Sequence, residues 1–161
     1  MKMNTIEGCP GSQMLNFKDK DQKDSAGPEG KIGSRLRQWP IQMHLISPVA
    51  PYFQEADVLL TADCVAYALG DFHRDYLTDK SMAVACPKLD INQEIYLEKI
   101  KTWFDDAKIN SLTVLIMQVP CCAGLLNLVK QAAQTASRKV PIKYVVVGLQ
   151  GEILKEDWVA D

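Results

Sequence analysis

Two stretches of this chain, Leu112–Val119 (LTVLIMQV) and Ile142–Val147 (IKYVVV), are nearly unbroken runs of apolar, largely β-branched residues. A strand with one wet face alternates apolar and polar positions. A strand without that alternation has to be covered on both faces, as in parallel sheets. Three shorter segments of similar character, Ile41–Ile46, Val58–Leu60 and Met82–Ala85, bring the expected strands to five.

Between the later segments the apolar period changes to that of a helix. Val65, Leu69, Phe72 and Tyr76 are spaced 4, 3, 4; Leu97, Ile100, Phe104 and Ala107 are spaced 3, 4, 3; Leu125, Val129, Ala132 and Ala136 repeat the pattern. Each series puts one apolar stripe on a helix able to cover a sheet. Asp90 or Asn92 is expected to cap the second helix. Strand–helix alternation with short links predicts βαβ units. The expected fold is α/β, an open, mostly parallel sheet with helices on both faces, a three-layer arrangement of flavodoxin-like or Rossmann-like type. Only the eleven residues SPVAPYFQEAD separate Ile46 from Val58. That is near the lower limit for a crossover, so strand order stays open. After Val147, the segment Gly148-Leu149-Gln150-Gly151-Glu152-Ile153-Leu154 reads as a turn followed by a final extended segment or a tail.

Residues 1–38 read differently. They form a polar arm or linker carrying the motif Cys9-Pro10-Gly11-Ser12, and residues 39–161 form a single α/β domain. With 18 basic and 20 acidic side chains, the formal charge of −2 builds no field for nucleic acid or an anionic membrane. No apolar run is long enough for membrane insertion, and the first 20 residues hold no secretory core, which points to a cytoplasmic protein.

The cysteines carry the chemistry. There are five: Cys9, Cys64, Cys86, Cys121 and Cys122. In a reducing compartment an odd set of thiols is read as metal ligands, redox groups or plain core residues rather than as a disulfide framework. Three expected strands end in cysteine, at Asp63-Cys64, Cys86-Pro87 and Pro120-Cys121-Cys122. Ligands of open α/β sheets bind just beyond the carboxyl ends of the strands. Parallel neighbouring strands therefore bring four sulfurs to one edge, where thiolates suit iron–sulfur clusters, zinc or copper(I). The start of a helix at Cys121-Cys122 favours thiolate, and Gly124 lets backbone approach closely. The bland alternative is burial, since free cysteine packs as a small hydrophobe. Adjacent side chains usually point apart, so one of Cys121 and Cys122 ligates while the other packs, or each meets a different iron.

The stretches LRQWPIQMHLISPVAPYFQEADVLLTADC, ALGDFHRDYL, ACPKLD and VPCCAGL resemble a domain fused to ferredoxin modules in anaerobic bacteria. There two four-iron clusters precede a CPGS segment and then this domain. The likeness covers about Cys9 to Ile153. A more distant likeness is to the delta subunit of methanogen hydrogenases, a cysteine-bearing flavodoxin-like protein with a two-iron cluster. By position, all five cysteines fall on cysteines of the ferredoxin-linked pattern. The chain departs from it in lacking the CxxCxxC motifs, and in having Gln118 and Ala123 where Glu and Gly are common. The resemblance implies an iron–sulfur-associated electron-transfer domain, more an accessory or carrier than a stand-alone enzyme, with a ferredoxin-type or other redox partner. It also leaves open that the chain is a piece of a longer ferredoxin fusion.

On this reading Cys64, Cys86, Cys121 and Cys122 are the metal ligands and Cys9 a fifth or replacement. Asp63, His73 and Lys88 act on them as neighbours; the plainer roles are a helix cap for Asp63, a helix flank for His73 and solvent for Lys88. His44 is read as a core or face residue. Arg35 and Arg37 with Trp39 suit a phosphate or partner surface, or a solvated approach, and Pro51, Tyr52 and Phe53 wall the site or simply pack. Two further functions compete: a zinc-bound or metal-free interaction module for a redox partner, and a thiol enzyme handling sulfide or persulfide through Cys121 or Cys122. There is no GxGxxG, Walker or GxSxG motif, so the usual parts for dinucleotide binding, phosphate cradling and serine hydrolysis are absent.

Overall fold

The computed structural model describes residues 13–18 and 30–160. Cys9 and its CPGS motif lie outside the described residues. In chain order the strands and helices are β1 (Leu15–Asn16), β2 (Gln38–Trp39), β3 (Asp57–Ala62), α1 (Val65–Ala68), β4 (Ser81–Ala85), α2 (Glu94–Asp105), β5 (Ser111–Met117), α3 (Ala123–Thr135), β6 (Ile142–Val147) and β7 (Ile153–Trp158). β1 and β2 form a small antiparallel pair. The main sheet has five strands in the order β4-β3-β5-β6-β7. The first four are parallel, and β7 returns antiparallel beside β6. The expected three-layer, mostly parallel α/β fold is the one observed.

The order follows from burial. Val58, Leu59 and Leu60 of β3 and Val114 and Leu115 of β5 are wholly inaccessible to solvent. Fully burying one such side chain stabilises by about 1.5–3 kcal/mol, so these strands belong in the middle. The chain leaves β3 toward β4, then crosses back over β3 to reach β5 and continues to β6. Right-handed crossovers of opposite direction put α1 on one face and α2 and α3 on the other, and α2 and α3 do pack on each other. Tyr96, Ile100, Trp103 and Phe104 of α2, and Leu125, Leu126, Val129 and Ala132 of α3, face the core.

Three expectations need correction. Ile41–Ile46 is not a strand: it contributes one parallel bridge, Gln42 to Val84. Beyond it the chain turns, with the N–H groups of Leu45 and Ile46 both donating to the Gln42 carbonyl. The cause is Lys99 of α2, whose ammonium donates to the carbonyls of Met43, His44 and Ile46 at 2.7, 2.9 and 2.9 Å. Three carbonyls gathered on one cation cannot alternate as a strand requires. Second, the single helix expected across Val65 to Tyr76 breaks at Leu69–Asp71 into α1 and a π-helical turn, Phe72–Leu77. Gly70 in that break favours interruption; the apolar stripe still faces inward, with Val65, Leu69 and Phe72 buried. Third, neither Asp90 nor Asn92 caps α2; its N-cap is Gln93, with no side-chain cap bond.

The outer edge of β4 is closed by the residues before the domain core. The buried Gln38 amide donates to the Met82 carbonyl at 2.5 Å and accepts from the Met82 N–H at 3.1 Å. Ile41 and Met43 bond the main chain of Val84. A side chain and a short extended stretch thus stand in for a sixth strand and satisfy an edge that invites foreign pairing. No described helix is long and apolar enough to cross a membrane.

At the other side of the sheet, Gly151 takes φ +88° in the β6–β7 turn, and a Cβ there would sit 2.3 Å from the Ala68 carbonyl oxygen. Backbone conformation and space both demand glycine. Gly151→Ala is expected to lower stability by about 2–3 kcal/mol, read as a shift of the urea midpoint without a change in slope.

Candidate functional site

Because β3 sends the chain one way and β5 sends it the other, the crevice beyond their carboxyl ends is the topological switch point, where open α/β sheets bind ligands. Asp63 and Cys64 follow β3, Cys86 follows β4, and Gln118 to Cys122 follow β5. All four described cysteines lie at this one edge, none in a disulfide. Cys64 and Cys121 are exposed, Cys86 is half-buried and Cys122 is buried. Cys64 is the residue at the start of α1, and Cys122 stands at the start of α3.

The sulfurs form two neighbouring groups. At the switch point Cys64, Cys121 and Cys122 feel one another: burial pushes the Cys122 thiol up, a hydrogen bond with the Met117 main chain opposes this, and the charges of Cys121 and Cys64 add to the rise. One strand outward, Cys86 lies in a carboxylate-bound loop. Its N–H donates to Asp90 Oδ2 at 2.8 Å, and the Tyr96 hydroxyl donates to the same oxygen at 2.5 Å. The Gln93 amide ties the loop further, to the carbonyls of Pro87 and Asp90. Burial first, then that hydrogen bond and the charges of Asp90, Asp63 and Cys86, push the Tyr96 phenol far above its ordinary range.

A glycine joins the groups. A Cβ on Gly124, in the first turn of α3, would lie 3.1 Å from Pro87 Cβ. The Cys86-Pro87 loop therefore reaches over the end of β3 and rests on the start of α3. The close approach expected at Gly124 was one of backbone; what approaches is the Pro87 side chain.

Asp63 is no helix cap. Its Oδ1 is buried without a hydrogen-bond partner, and burial followed by the nearby Asp90 charge raises its carboxyl above the usual range. It also lines an apolar cleft of about 610 Å³ with Trp39, Ile41, Phe72, His73 and Met82. His73 lines the same cleft, its Nδ1 accepting the Arg35 N–H at 3.1 Å. Lys88 is exposed. His44 stacks on Tyr96 with ring centroids 4.7 Å apart. Tyr52 and Phe53 are buried, Phe53 against Trp103, so they pack rather than wall the site. Among the described residues no group of three or more His, Cys, Asp or Glu side chains is arranged to hold a metal ion.

The sequence reading missed the Cys86–Asp90–Tyr96 network and Lys99. The signal for Tyr96 was its place in the inward series Tyr96, Ile100, Trp103, Phe104. Lys99 carried none, since a lysine beside such a stripe reads as solvated.

The site is unsuited to the phosphate cradle of dinucleotide folds. The β3–α1 turn has no glycine, and it places Asp63 near Asp90 where a phosphate would sit, so like charges oppose binding.

The profile of the Rossmann-like domain family matches residues 50–160, and the chain belongs to that family. It is also 28% identical over 120 residues to an uncharacterized protein of Archaeoglobus fulgidus, a match covering 73% of this chain and 82% of that protein. No solved structure matches.

Two outcomes follow for the metal-free protein. Under limiting iodoacetamide, Cys64 and Cys121 are modified well before buried Cys122, as peptide mass spectrometry will show. Asp63, its pKa raised, binds its proton more tightly folded than unfolded. Its contribution is favourable in acid and is lost as pH rises through the folded value. Asp63→Asn therefore gains in melting temperature over the wild type as pH rises from about 3.5 to about 7.

Proposed function

We propose that this edge holds an iron–sulfur centre through Cys64, Cys86, Cys121 and Cys122, and that the domain passes electrons to and from a redox protein. The observation that carries the reading is the contact of Pro87 with Gly124, which draws the end of β4 over β3 to the cysteines after β5. Cys9, outside the described residues, is the further ligand of this proposal.

Donor type and span both suit such a centre. Two thiolates on one zinc at about 2.3 Å each lie within about 4 Å of one another. β4 and β5 flank β3, so their ends are about 10 Å apart at ordinary strand spacing. Irons and bridging sulfides fill such a gap better than one ion does, which ranks the cluster above the zinc module. When bound, the centre supplies one-electron transfer. The chain's own residues do the rest. Buried Cys122 excludes water from one side. Asp90 engages the Cys86 N–H, so that donor is withheld from sulfur. The carboxylates of Asp63 and Asp90 oppose added negative charge and so favour a low potential.

Support for a protein partner lies around the thiols. Tyr67 of α1 is 94% exposed, and Leu89, Ile91 and Leu149, in the turns after β4 and β6, are 78%, 73% and 63% exposed, all at the carboxyl edge. Large apolar side chains collected at one edge suit docking. The likeness to ferredoxin-linked domains points to the same class of partner.

Purified without oxygen, the full chain is expected to contain near-stoichiometric iron and acid-labile sulfide and to absorb in the visible. Cys64→Ser and Cys86→Ser each remove most of the iron. Gly124→Val, which pushes the Cys86-Pro87 loop away, lowers iron while far-UV circular dichroism stays unchanged. Zinc without visible absorption would instead establish the zinc module, and a colourless, metal-free protein would overturn the proposal.

A further inference from the structure

We infer that β7 is a homodimerisation edge, on which a second copy of this chain pairs antiparallel about a two-fold axis at Glu156 to make one continuous ten-stranded sheet.

The two edges of the sheet are treated oppositely. β4 is closed by Gln38 and by Ile41–Met43, whereas β7 ends the strand order with nothing beyond it among the described residues. All six residues of β7 are exposed, including Leu154 at 52% and Trp158 at 58%. No proline blocks this edge. The Val159 N–H donates to the Ile142 carbonyl, toward β6. Antiparallel alternation then turns the N–H and C=O of Glu156 and Trp158 outward; the Trp158 N–H donates to Asp157 Oδ1 at 2.9 Å, a local bond that is exchanged on pairing, while the Glu156 groups face out at the axis.

The sequence of β7, Ile-Leu-Lys-Glu-Asp-Trp, names the partner. A two-fold axis normal to the sheet keeps each face on its own side, so the axis must pass through a residue pair of one kind. With the axis at Glu156, Lys155 faces Asp157 of the other copy, and this pair occurs twice; the ladder is regular only from Lys155 onward, since the register shifts at Leu154. With the axis at Lys155, lysine faces lysine, Leu154 faces Glu156 and Ile153 faces Asp157. With the axis at Asp157, aspartate faces aspartate, Glu156 faces Trp158 and Lys155 faces Val159. Only the first register sets opposite charges face to face. Its one like pair, Glu156 with Glu156, is screened because each carboxylate is ion-paired with Lys143 of its own chain. Lys155 and Asp157 fall in the non-hydrogen-bonded position, where facing side chains are closest. On its own chain Lys155 leans over the Tyr144 ring, 5.3 Å from the centroid, and so lies on the face the incoming Asp157 would occupy. A single edge pairing is smaller than a standard interface, so the dimer is dissociable, in the micromolar range.

The test is sedimentation velocity on the full chain over a concentration series. A reversible dimer is expected. Lys155→Asp and Asp157→Lys each weaken it roughly tenfold or more, because two ion pairs become two like-charge pairs. The double variant K155D/D157K restores it to within about threefold of wild type, since the swapped charges face each other again. Glu156→Pro removes the N–H at the axis, which the chain's own sheet does not use; it gives a monomer with unchanged circular dichroism. A wild type that stays monomeric throughout overturns the inference. So does a dimer indifferent to Glu156→Pro, or single charge reversals that the double variant fails to rescue.

Discussion

The parallel pairing of β3 with both β4 and β5 is the constraint on which the rest of this structure depends. β3 is hydrogen-bonded along both edges and buried on both faces, with Val58, Leu59 and Leu60 inaccessible to solvent. To occupy both of its flanks in parallel, the chain has to leave β3 on one side and come back over it. That return opens a crevice at the carboxyl end, and into it run Asp63-Cys64, Cys86 and Cys121-Cys122. The convergence of the thiols is thus a consequence of hydrophobic burial in the central strand, with no local metal motif needed to bring it about.

Polar side chains then set the finer geometry around that frame. Lys99 gives up hydration to gather three carbonyls, and burial lowers its pKa accordingly. Asp90 accepts from Cys86 and Tyr96 and so shapes the turn that carries a thiol. Gln38 closes the β4 edge through both groups of one amide. Each of these groups is satisfied by its partners, whereas Asp63 Oδ1 at the crevice is not. A buried, unpartnered carboxylate oxygen is costly. The Tyr52 hydroxyl and Trp103 Nε1 in the core also lack partners, but Asp63 Oδ1 is the carboxyl oxygen among them and lies beside the thiols.

Much of this was legible in one dimension. The runs Leu112–Val119 and Ile142–Val147 announced strands buried on both faces, and β5 and β6 lie within them. The stripes through Ile100 and Val129 marked α2 and α3. The segment Ile41–Ile46 misled, because apolar composition cannot show that a lysine some fifty residues later will curl the chain. The break at Gly70 was visible as a glycine, yet the regular apolar spacing across it outweighed that sign. Asp90 looked like a helix cap because capping is a local rule, while its actual partners, Cys86 and Tyr96, were chosen by the fold.

From residue types and their order alone come the class of fold, the strands that lie at its centre and the fact that cysteines follow three of them. These are properties of nearest neighbours and of periodicity, which burial reads directly. Strand order, the passage of Pro87 across β3 onto Gly124, the division of the four described thiols into a trio and an outlier, and the contrast between a closed β4 edge and an open β7 edge were decided only in three dimensions. They depend on which distant segments win the two flanks of one buried strand, and that competition is settled by packing the whole chain at once.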